Sequence, residues 1–131
     1  MVLLNDTNDL DTAWVRLRFG LARWTAGLLP TGPCSILEVG CGHGQLTVPL
    51  AEVLPEASIT AIDLFHGVYS HDYAKLNSRL ERAGLADRVR VIRGNALRWI
   101  TTRRKTTFDV VLSSEFLPEL TQRGMGQFFR G

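Results

Sequence analysis

The stretch Ile36-Leu-Glu-Val-Gly-Cys-Gly-His-Gly-Gln-Leu46 decides the fold of this chain. A short apolar run leads into glycines at three alternate positions, and a second apolar segment follows from Leu46 to Val53. This order predicts a strand, a tight turn and a helix. Glycines have no Cβ, so a ligand can lie directly on the backbone, and the helix behind them directs its positive end at that ligand. The stretch therefore predicts a binding site at the turn.

The spacing of the glycines distinguishes this turn from common phosphate-binding turns. The dinucleotide fingerprint G-x-G-x-x-G would place its third glycine where the chain has Gln45. The chain also lacks the G-x-x-x-x-G-K-[ST] pattern of a phosphate loop. The spacing therefore does not favour a pyrophosphate ligand.

The segment Glu38-Val-Gly-Cys-Gly-His-Gly44 resembles motif I of the class I S-adenosylmethionine-dependent methyltransferases. That family has an acidic residue and then alternate glycines at its first strand–helix turn. A second acidic residue is expected at the end of the next strand, about 20 residues further on. Asp63 ends the apolar segment Ser58–Ile62 at this distance. The resemblance implies that Asp63 binds the ribose of S-adenosylmethionine; the alternative interpretation is that Asp63 only caps the following segment.

Two later segments also resemble the family. In Val91–Ala96, Asn95 stands where the family commonly has an acid that binds the adenine amino group, and its carbonyl oxygen can accept the same hydrogen bond. An ordinary Gly-Asn turn is the alternative. Phe108–Leu117 resembles the fourth-strand motif of the family. In the family, the residues just after this strand line the methionine half of the cofactor and the substrate entrance. The cofactor-binding residues implied by the resemblance are Glu38, Gly40, Cys41, Gly42, Gly44, Asp63, Leu64, Asn95, Ala96 and Ser113.

Glu115 is the candidate catalytic residue, because it follows the fourth strand and could orient a substrate or accept a proton. The alternative is that Glu115 caps the last helix. The histidines His43, His66 and His71 are interpreted as structural, and no general base is assigned. The Asn/Asp-Pro-Pro-Tyr/Phe motif of family members that methylate bases or glutamine is absent after the fourth strand. We therefore expect a small-molecule acceptor.

Strands alternating with helices predict an α/β fold with a parallel sheet and right-handed crossovers. The resemblance implies a three-layer, doubly wound, mostly parallel, Rossmann-like methyltransferase fold. The predicted strands are Ser35–Val39, Ser58–Ile62, Arg88–Ile92 and Phe108–Leu112. The predicted helices are Thr12–Leu29, Gln45–Val53, Val68–Ala83, Ala96–Thr101 and a last helix from Glu119 or Thr121 to Phe129.

Two packing expectations follow from the apolar patterns. An apolar stripe on the first helix is predicted to pack in the core; its residues are Trp14, Leu17, Leu21, Trp24 and Leu28. The continuous apolar run of the fourth strand predicts a buried parallel strand.

The chain has 131 residues, which is enough for one domain. We divide it into an N-terminal helical segment, 1–34, and a cofactor-binding domain, 35–131. The family continues through three more strands, so the resemblance implies a fold truncated after about the fourth strand. The chain is then part of a longer methyltransferase, a short gene product or a subunit completed by a partner, and we favour the first of these interpretations. The open edge of the fourth strand would invite pairing with a second copy or another chain.

Composition excludes several functional classes. A net charge of +2 is too small to favour nucleic acid as a partner. Two cysteines and three histidines do not have zinc-ligand spacing, so no metal is expected. No secretory signal or long apolar run is present, which predicts a cytoplasmic protein that does not span a membrane. Two functions remain open: methyl transfer, or a non-catalytic module of the same fold that binds the cofactor or a partner chain.

Overall fold

The computed structural model describes residues 12–29, 31–67, 70, 72–102 and 106–114. Helices and strands alternate in the predicted order. Their bounds are α1 Thr12–Gly27, β1 Ser35–Val39, α2 Thr47–Val53, β2 Ser58–Asp63, α3 Asp72–Arg82, β3 Val89–Arg93, α4 Ala96–Thr102 and β4 Val110–Ser113. The bounds of β1 agree with the prediction, and those of the other elements differ by one to four residues. The predicted last helix lies outside the described residues.

The four strands form one parallel sheet in the order β3-β2-β1-β4. Val39 at the end of β1 is in register with Ile62 of β2 on one side and with Ser113 of β4 on the other. The chain leaves β1 for β2 on one side and later returns to β4 on the other, so the strand order reverses beside β1. The loops at the carboxyl ends diverge at such a reversal and leave a crevice between them.

Helices cover both faces of the sheet, as the three-layer prediction requires. Ile36 of β1 packs in a cluster with Leu50 of α2 and Leu76 of α3, and the neighbouring Leu37 packs with Ala96 of α4 on the opposite face. Alternate residues of a strand point to opposite faces, so the run Ile36-Leu37 contributes to both cores. The doubly wound α/β fold is therefore confirmed.

Most of the described stripe of α1 does not pack in the core, contrary to the prediction, although Leu21 is partly buried against it. Leu17 is 60% exposed, and Trp24 and Leu28 are each 65% exposed. A different face of the helix is buried; it carries Arg18, Ala22 and Thr25. The spacing of these three residues also places them on one helical face. Ala22 lies in the same core cluster as Leu50 of α2, and the Arg18 guanidinium donates a hydrogen bond to Ser114, just after β4.

The fourth strand is only partly buried, contrary to the prediction. Val111 of β4 is 53% exposed, although it is in register with the buried Leu37 of β1. β4 pairs with β1 on one side and is the terminal strand of the sheet in the part of the chain that the structure describes. An apolar strand with one neighbour retains exposed surface, which explains the difference.

The start of the β1–β4 pair is held by one aspartate. The carboxylate of Asp109 accepts hydrogen bonds from the Ser35 backbone N–H at 2.7 Å and from the Ser35 hydroxyl at 2.8 Å. These hydrogen bonds, the backbone one first, lower the pKa of Asp109. Asp109 thus helps to fix the register that places the end of β4 beside the end of β1.

Gly44 sits where α3 packs against the glycine turn. Its φ is +75°, and a Cβ there would overlap Cδ1 of the buried Leu76. Gly84, just after α3, has a φ of +68° but open space around it. Both glycines adopt a conformation that costs other residues free energy, but only Gly44 also lacks room for a side chain.

We expect Gly44→Ala to lower the free energy of unfolding by about 3 kcal/mol or more, because strain and overpacking add. Gly84→Ala is the matched control and should cost only about 1 kcal/mol, because it adds backbone strain alone. Urea unfolding of both variants measures the difference. Equal losses would show that the contact with Leu76 does not constrain the turn.

Candidate functional site

A cavity of about 430 Å³ lies at the carboxyl ends of the strands. Its volume falls within the range of small-molecule sites. The predicted site residues that line it are Glu38, Gly40, Cys41, Gly42, Asp63, Leu64, Asn95 and Ala96. Gly44 and Ser113 are not among the lining residues; Gly44 faces Leu76, and Ser114 reaches the cavity in place of Ser113. Glu115, the candidate catalytic residue, lies outside the described residues.

The Asp63 carboxylate connects two loops at this cavity. Its Oδ2 accepts a hydrogen bond from the Gly42 N–H at 2.9 Å, and its Oδ1 accepts one from the Phe65 N–H at 3.1 Å. The bond to Phe65 is the capping interaction considered from the sequence. Each carboxylate oxygen has a second lone pair, so both oxygens can still accept a bond from a ligand in the cavity.

The N–H groups of the glycine turn are mostly used within the protein. Gly40 and Cys41 donate to the carbonyl of Ile62 at 2.8 and 3.4 Å, and Gly44 donates to the carbonyl of Cys41 at 2.8 Å. Gly42 donates to Asp63. A phosphate-binding turn depends on backbone N–H groups that have no partner within the protein and are directed at the anion. These four groups therefore do not form a phosphate cradle, in agreement with the glycine spacing.

Glu38 lies buried on β1 beneath the turn. Burial raises the pKa of Glu38 to about 7; the Thr47 hydroxyl and the Arg18 guanidinium lower it, and the charge of Asp63 raises it. Its Oε2 atom has no hydrogen-bond partner among the described residues, although Glu38 lines the cavity. A buried carboxylate of this kind favours a hydrogen-bond donor or a cation as its partner.

Arg18 was not predicted from the sequence, yet it lines the cavity from α1. Its side chain is largely buried, and Nη1 donates to the Ser114 hydroxyl at 3.3 Å. Arg18 therefore connects α1 to the end of β4 and supplies a positive charge near Glu38. In the sequence, Arg18 lies on the same helical face as Ala22 and Thr25. This face was not recognised as the buried one, because the neighbouring stripe is more apolar.

Asn95 has a local role in addition to its place in the cavity wall. Its Oδ1 accepts a hydrogen bond from the Arg98 N–H at 3.0 Å, so Asn95 caps the start of α4. This contact supports the turn interpretation of Asn95. The second lone pair of the amide oxygen is still available to a ligand.

His43 and Asp72 form a pair at the same cavity. His43 Nδ1 lies 3.1 Å from Asp72 Oδ1, and both residues line the cavity wall. Nothing in the sequence spacing indicated this contact, because Asp72 begins α3 far along the chain from the glycine turn. His71, also considered from the sequence, lies outside the described residues.

Within the described ranges, no group of three or more His, Cys, Asp or Glu side chains is arranged to hold a metal ion. None of the helices described has the length and apolar composition needed to cross a membrane. Burial raises the pKa of the Cys41 thiol, which keeps this turn residue in its neutral form.

The site geometry agrees with the comparison to protein families. Residues 36–131 match the family model described as a methyltransferase domain. This range contains the glycine turn, Asp63, the strands β2, β3 and β4, and all of β1 except Ser35. The chain belongs to the methyltransferase domain family, and the resemblance inferred from motif I is confirmed.

Two curated relatives show how wide this family is. The release factor glutamine methyltransferase of Gloeobacter violaceus is 30% identical over 79 residues, which cover 60% of this chain and 25% of that protein. The malonyl-[acyl-carrier protein] O-methyltransferase of Anoxybacillus flavithermus is 32% identical over 83 residues, which cover 56% of this chain and 32% of that protein. The matched regions thus span about a third or less of each relative.

A solved structure supports the fold. The glycopeptide N-methyltransferase MtfA, determined in complex with S-adenosyl-L-methionine, superimposes with a TM-score of 0.65 at 21% sequence identity. The match covers 86% of this chain and 46% of that chain. At this identity the likeness establishes a shared architecture.

The raised pKa of Glu38 predicts a pH-dependent stability. The pKa of Glu38 is about 7 in the folded protein, whereas in the unfolded chain it has the ordinary value of 4.5. Burial therefore favours the protonated form of the side chain in the folded state. The stabilisation from this proton is present below about pH 4.5 and is lost as the pH rises to about 7. The total change is about 3 kcal/mol.

We expect the free energy of unfolding of Glu38→Gln to rise by about 2.5 kcal/mol relative to that of the wild type between pH 5 and pH 8, because glutamine has no proton to lose. Urea unfolding of both proteins at the two pH values measures this difference. Glu81→Gln, a change at an exposed position of α3, is the control and should follow the wild type. A Glu38→Gln difference that does not change with pH would contradict the account of Glu38.

Proposed function

We propose that this chain binds S-adenosylmethionine in the cavity and forms the cofactor-binding part of an S-adenosylmethionine-dependent methyltransferase. The observation that carries the proposal is the pair of carboxylates at the glycine turn, Glu38 beneath it and Asp63 beside it. Two carboxylates, together with a turn whose N–H groups are used internally, oppose a polyphosphate ligand. They favour a ligand with hydroxyl donors and positive charge, as S-adenosylmethionine has.

Asp63 fits the ribose end of this ligand. Its carboxylate is held in place by the Gly42 and Phe65 N–H groups and retains lone pairs on both oxygens. A carboxylate can accept both vicinal hydroxyls of a ribose in charge-assisted hydrogen bonds. Because the two loops already hold the carboxylate, the side chain loses little freedom when the ligand binds.

Glu38 and Arg18 fit the charged end of the ligand. The Oε2 atom of Glu38, which lacks a hydrogen-bond partner in the described part of the chain, can accept from the ammonium group. The Arg18 guanidinium lies near Glu38 and can pair with the ligand carboxylate. The opposite charges of these two side chains thus match the two charges of an amino acid group.

Leu64 and Ala96 fit the adenine. Leu64 follows Asp63 directly and is 44% exposed at the cavity, and Ala96 is buried at the start of α4. These apolar groups lie after β2 and β3, so a flat ring between them would be covered on both faces. The amide oxygen of Asn95 can accept from the ring amino group while it caps α4.

The bound cofactor supplies a methyl group on a sulfonium, which is already activated for transfer. The residues of this chain need only position the acceptor, hold the charges and exclude water. Arg18 and Ser114 line the cavity and are joined by a hydrogen bond, and Arg18 lies near Glu38. A general base is required only if the acceptor must lose its proton early. Glu115 stays the candidate for that role.

We further propose a small-molecule acceptor and a cytoplasmic location. Ser113 ends β4 and the sequence continues Ser114-Glu115-Phe116, where family members that act on bases or glutamine commonly carry Asn/Asp-Pro-Pro-Tyr/Phe. The small net charge of +2 does not favour a nucleic acid. Cys34 and Cys41 are both unpaired thiols, as is usual in a reducing compartment.

A second candidate is a cofactor-binding module without activity of its own, completed by another chain. The exposed Val111 favours it, because β4 is the terminal strand among the described residues and a further strand from another chain would reduce the exposure of β4. Release of S-adenosylhomocysteine by the chain in the presence of candidate acceptors separates the two functions. Cofactor binding without release for any acceptor would favour the module.

We expect S-adenosylmethionine to bind the chain in isothermal titration calorimetry and NAD not to bind. Asp63→Ala should weaken binding about 100-fold, since two charge-assisted hydrogen bonds are lost. Asp87→Ala, at an exposed position of the turn before β3, is the matched control and should bind as the wild type does. Thermal melting shows whether each variant is folded. Binding of NAD instead of S-adenosylmethionine would refute the proposed function.

A further inference from the structure

Glu38 is a carboxyl group that is removed from water but only partly matched by the protein. It is 2% exposed, and the residues in register with it on the adjacent strands are Ala61 and Leu112, which are apolar. Its Oε2 atom has no hydrogen-bond partner among the described residues, although the side chain lines the cavity. A buried oxygen of this kind costs more free energy when the group is ionised than when it is protonated. The site without a ligand therefore favours the neutral acid.

The other groups around Glu38 do not reverse this preference. The Thr47 hydroxyl of α2 and the Arg18 guanidinium of α1 favour the carboxylate, whereas the negative charge of Asp63 at the end of β2 favours the acid. The Cys41 thiol of the glycine turn is neutral and adds no charge. Burial is the largest effect, and the pKa of Glu38 is raised to about 7.

The ligand of the proposed function carries the cation that this carboxyl group lacks. Its ammonium group both donates hydrogen bonds and bears a positive charge. Placed at the Oε2 atom of Glu38, the ammonium group favours the carboxylate over the acid. The contact that supplies a partner for Oε2 therefore also favours loss of the proton.

We propose that Glu38 is protonated in the ligand-free protein at mildly acidic pH and releases its proton when the ammonium group of the ligand binds beside it. The O–H bond of the acid breaks, the proton passes to the buffer, and the carboxylate accepts an N–H of the ammonium group. This inference rests on the proposed function, because it assigns a change of protonation to a residue of the same site. It makes the affinity for the cofactor rise with pH through one side chain.

The test counts the protons that are released when a ligand binds. Calorimetry at pH 6 and at pH 8, each in two buffers of different ionisation enthalpy, gives this number together with the dissociation constant. The ligands are S-adenosylhomocysteine and 5′-methylthioadenosine, which keeps the adenosine but has neither the ammonium nor the carboxylate group. The proteins are the wild type, Glu38→Gln and the control Glu81→Gln, a change at an exposed position of α3.

The Glu38→Gln variant separates Glu38 from the histidines of the cavity. His43 and His66 also line the cavity, and histidine exchanges protons in the same pH range. Protons exchanged by these histidines are counted in both proteins, so the difference between the wild type and Glu38→Gln reports Glu38 alone.

We expect S-adenosylhomocysteine to release more protons from the wild type than from Glu38→Gln, by about 0.9 per ligand at pH 6 and about 0.1 at pH 8. The affinity of the wild type relative to Glu38→Gln should rise about tenfold between these pH values. Both figures apply when the ammonium group returns the pKa of Glu38 to its ordinary value of 4.5. Glu81→Gln should behave as the wild type does. With 5′-methylthioadenosine the wild type and Glu38→Gln should release equal numbers of protons.

Two results would overturn the inference. One is equal proton release from the wild type and Glu38→Gln on binding S-adenosylhomocysteine at pH 6. The other is equal proton release from the wild type by the two ligands, since the proton would then not respond to the ammonium group; this comparison decides even if Glu38→Gln does not fold. Absence of S-adenosylhomocysteine binding by the folded wild type is a different result, which would refute the proposed function as well.

Discussion

The carboxylate of Asp63 is the contact on which the geometry of the site depends. It accepts from the glycine turn at Gly42 and from the next loop at Phe65. Phe65 has a φ of +46°, in a left-handed conformation that is unfavourable for a residue with a side chain. Its ring is buried and meets Tyr73 of α3 edge to face, with the ring centroids 5.3 Å apart. The hydrogen bond and this packing together hold a loop conformation that the backbone alone would not favour.

Charge balance is the second constraint on the site. The carboxylates of Glu38 and Asp63 make the electrostatic potential at the turn more negative. Arg18 is the nearby cation, and its charge lowers the pKa of Glu38. In water these charges would interact weakly, but burial makes both their attraction and the cost of leaving them unmatched larger. The site is therefore suited to a ligand that brings a cation to Glu38, and poorly suited to a phosphate.

Local patterns in the sequence predicted most of the elements and most of the residues that line the cavity. The glycine spacing and the acid after β2 are local signals, and the structure brings Glu38, Gly42 and Asp63 to one cavity as expected. The bounds of α3 were less well predicted, because the apolar spacing of Leu76 and Leu80 defines its face and not its start.

The residues that were missed depend on tertiary contacts. Arg18 is buried where it interacts with Glu38 of β1 and with Ser114 just after β4. Leu17 and Trp24 are exposed, although their spacing is typical of a helix face that packs in the core. Periodicity identifies a helix but does not show which of two adjacent faces points inward. The contact between His43 and Asp72 likewise joins positions that no short motif connects.

A crystal structure of the chain with S-adenosylhomocysteine would test the central claim most directly. The account predicts that the ribose hydroxyls lie within hydrogen-bonding distance of the Asp63 carboxylate, and that the amino acid end lies beside Glu38 and Arg18. A ligand bound in the reverse direction, or at a site away from the glycine turn, would contradict it.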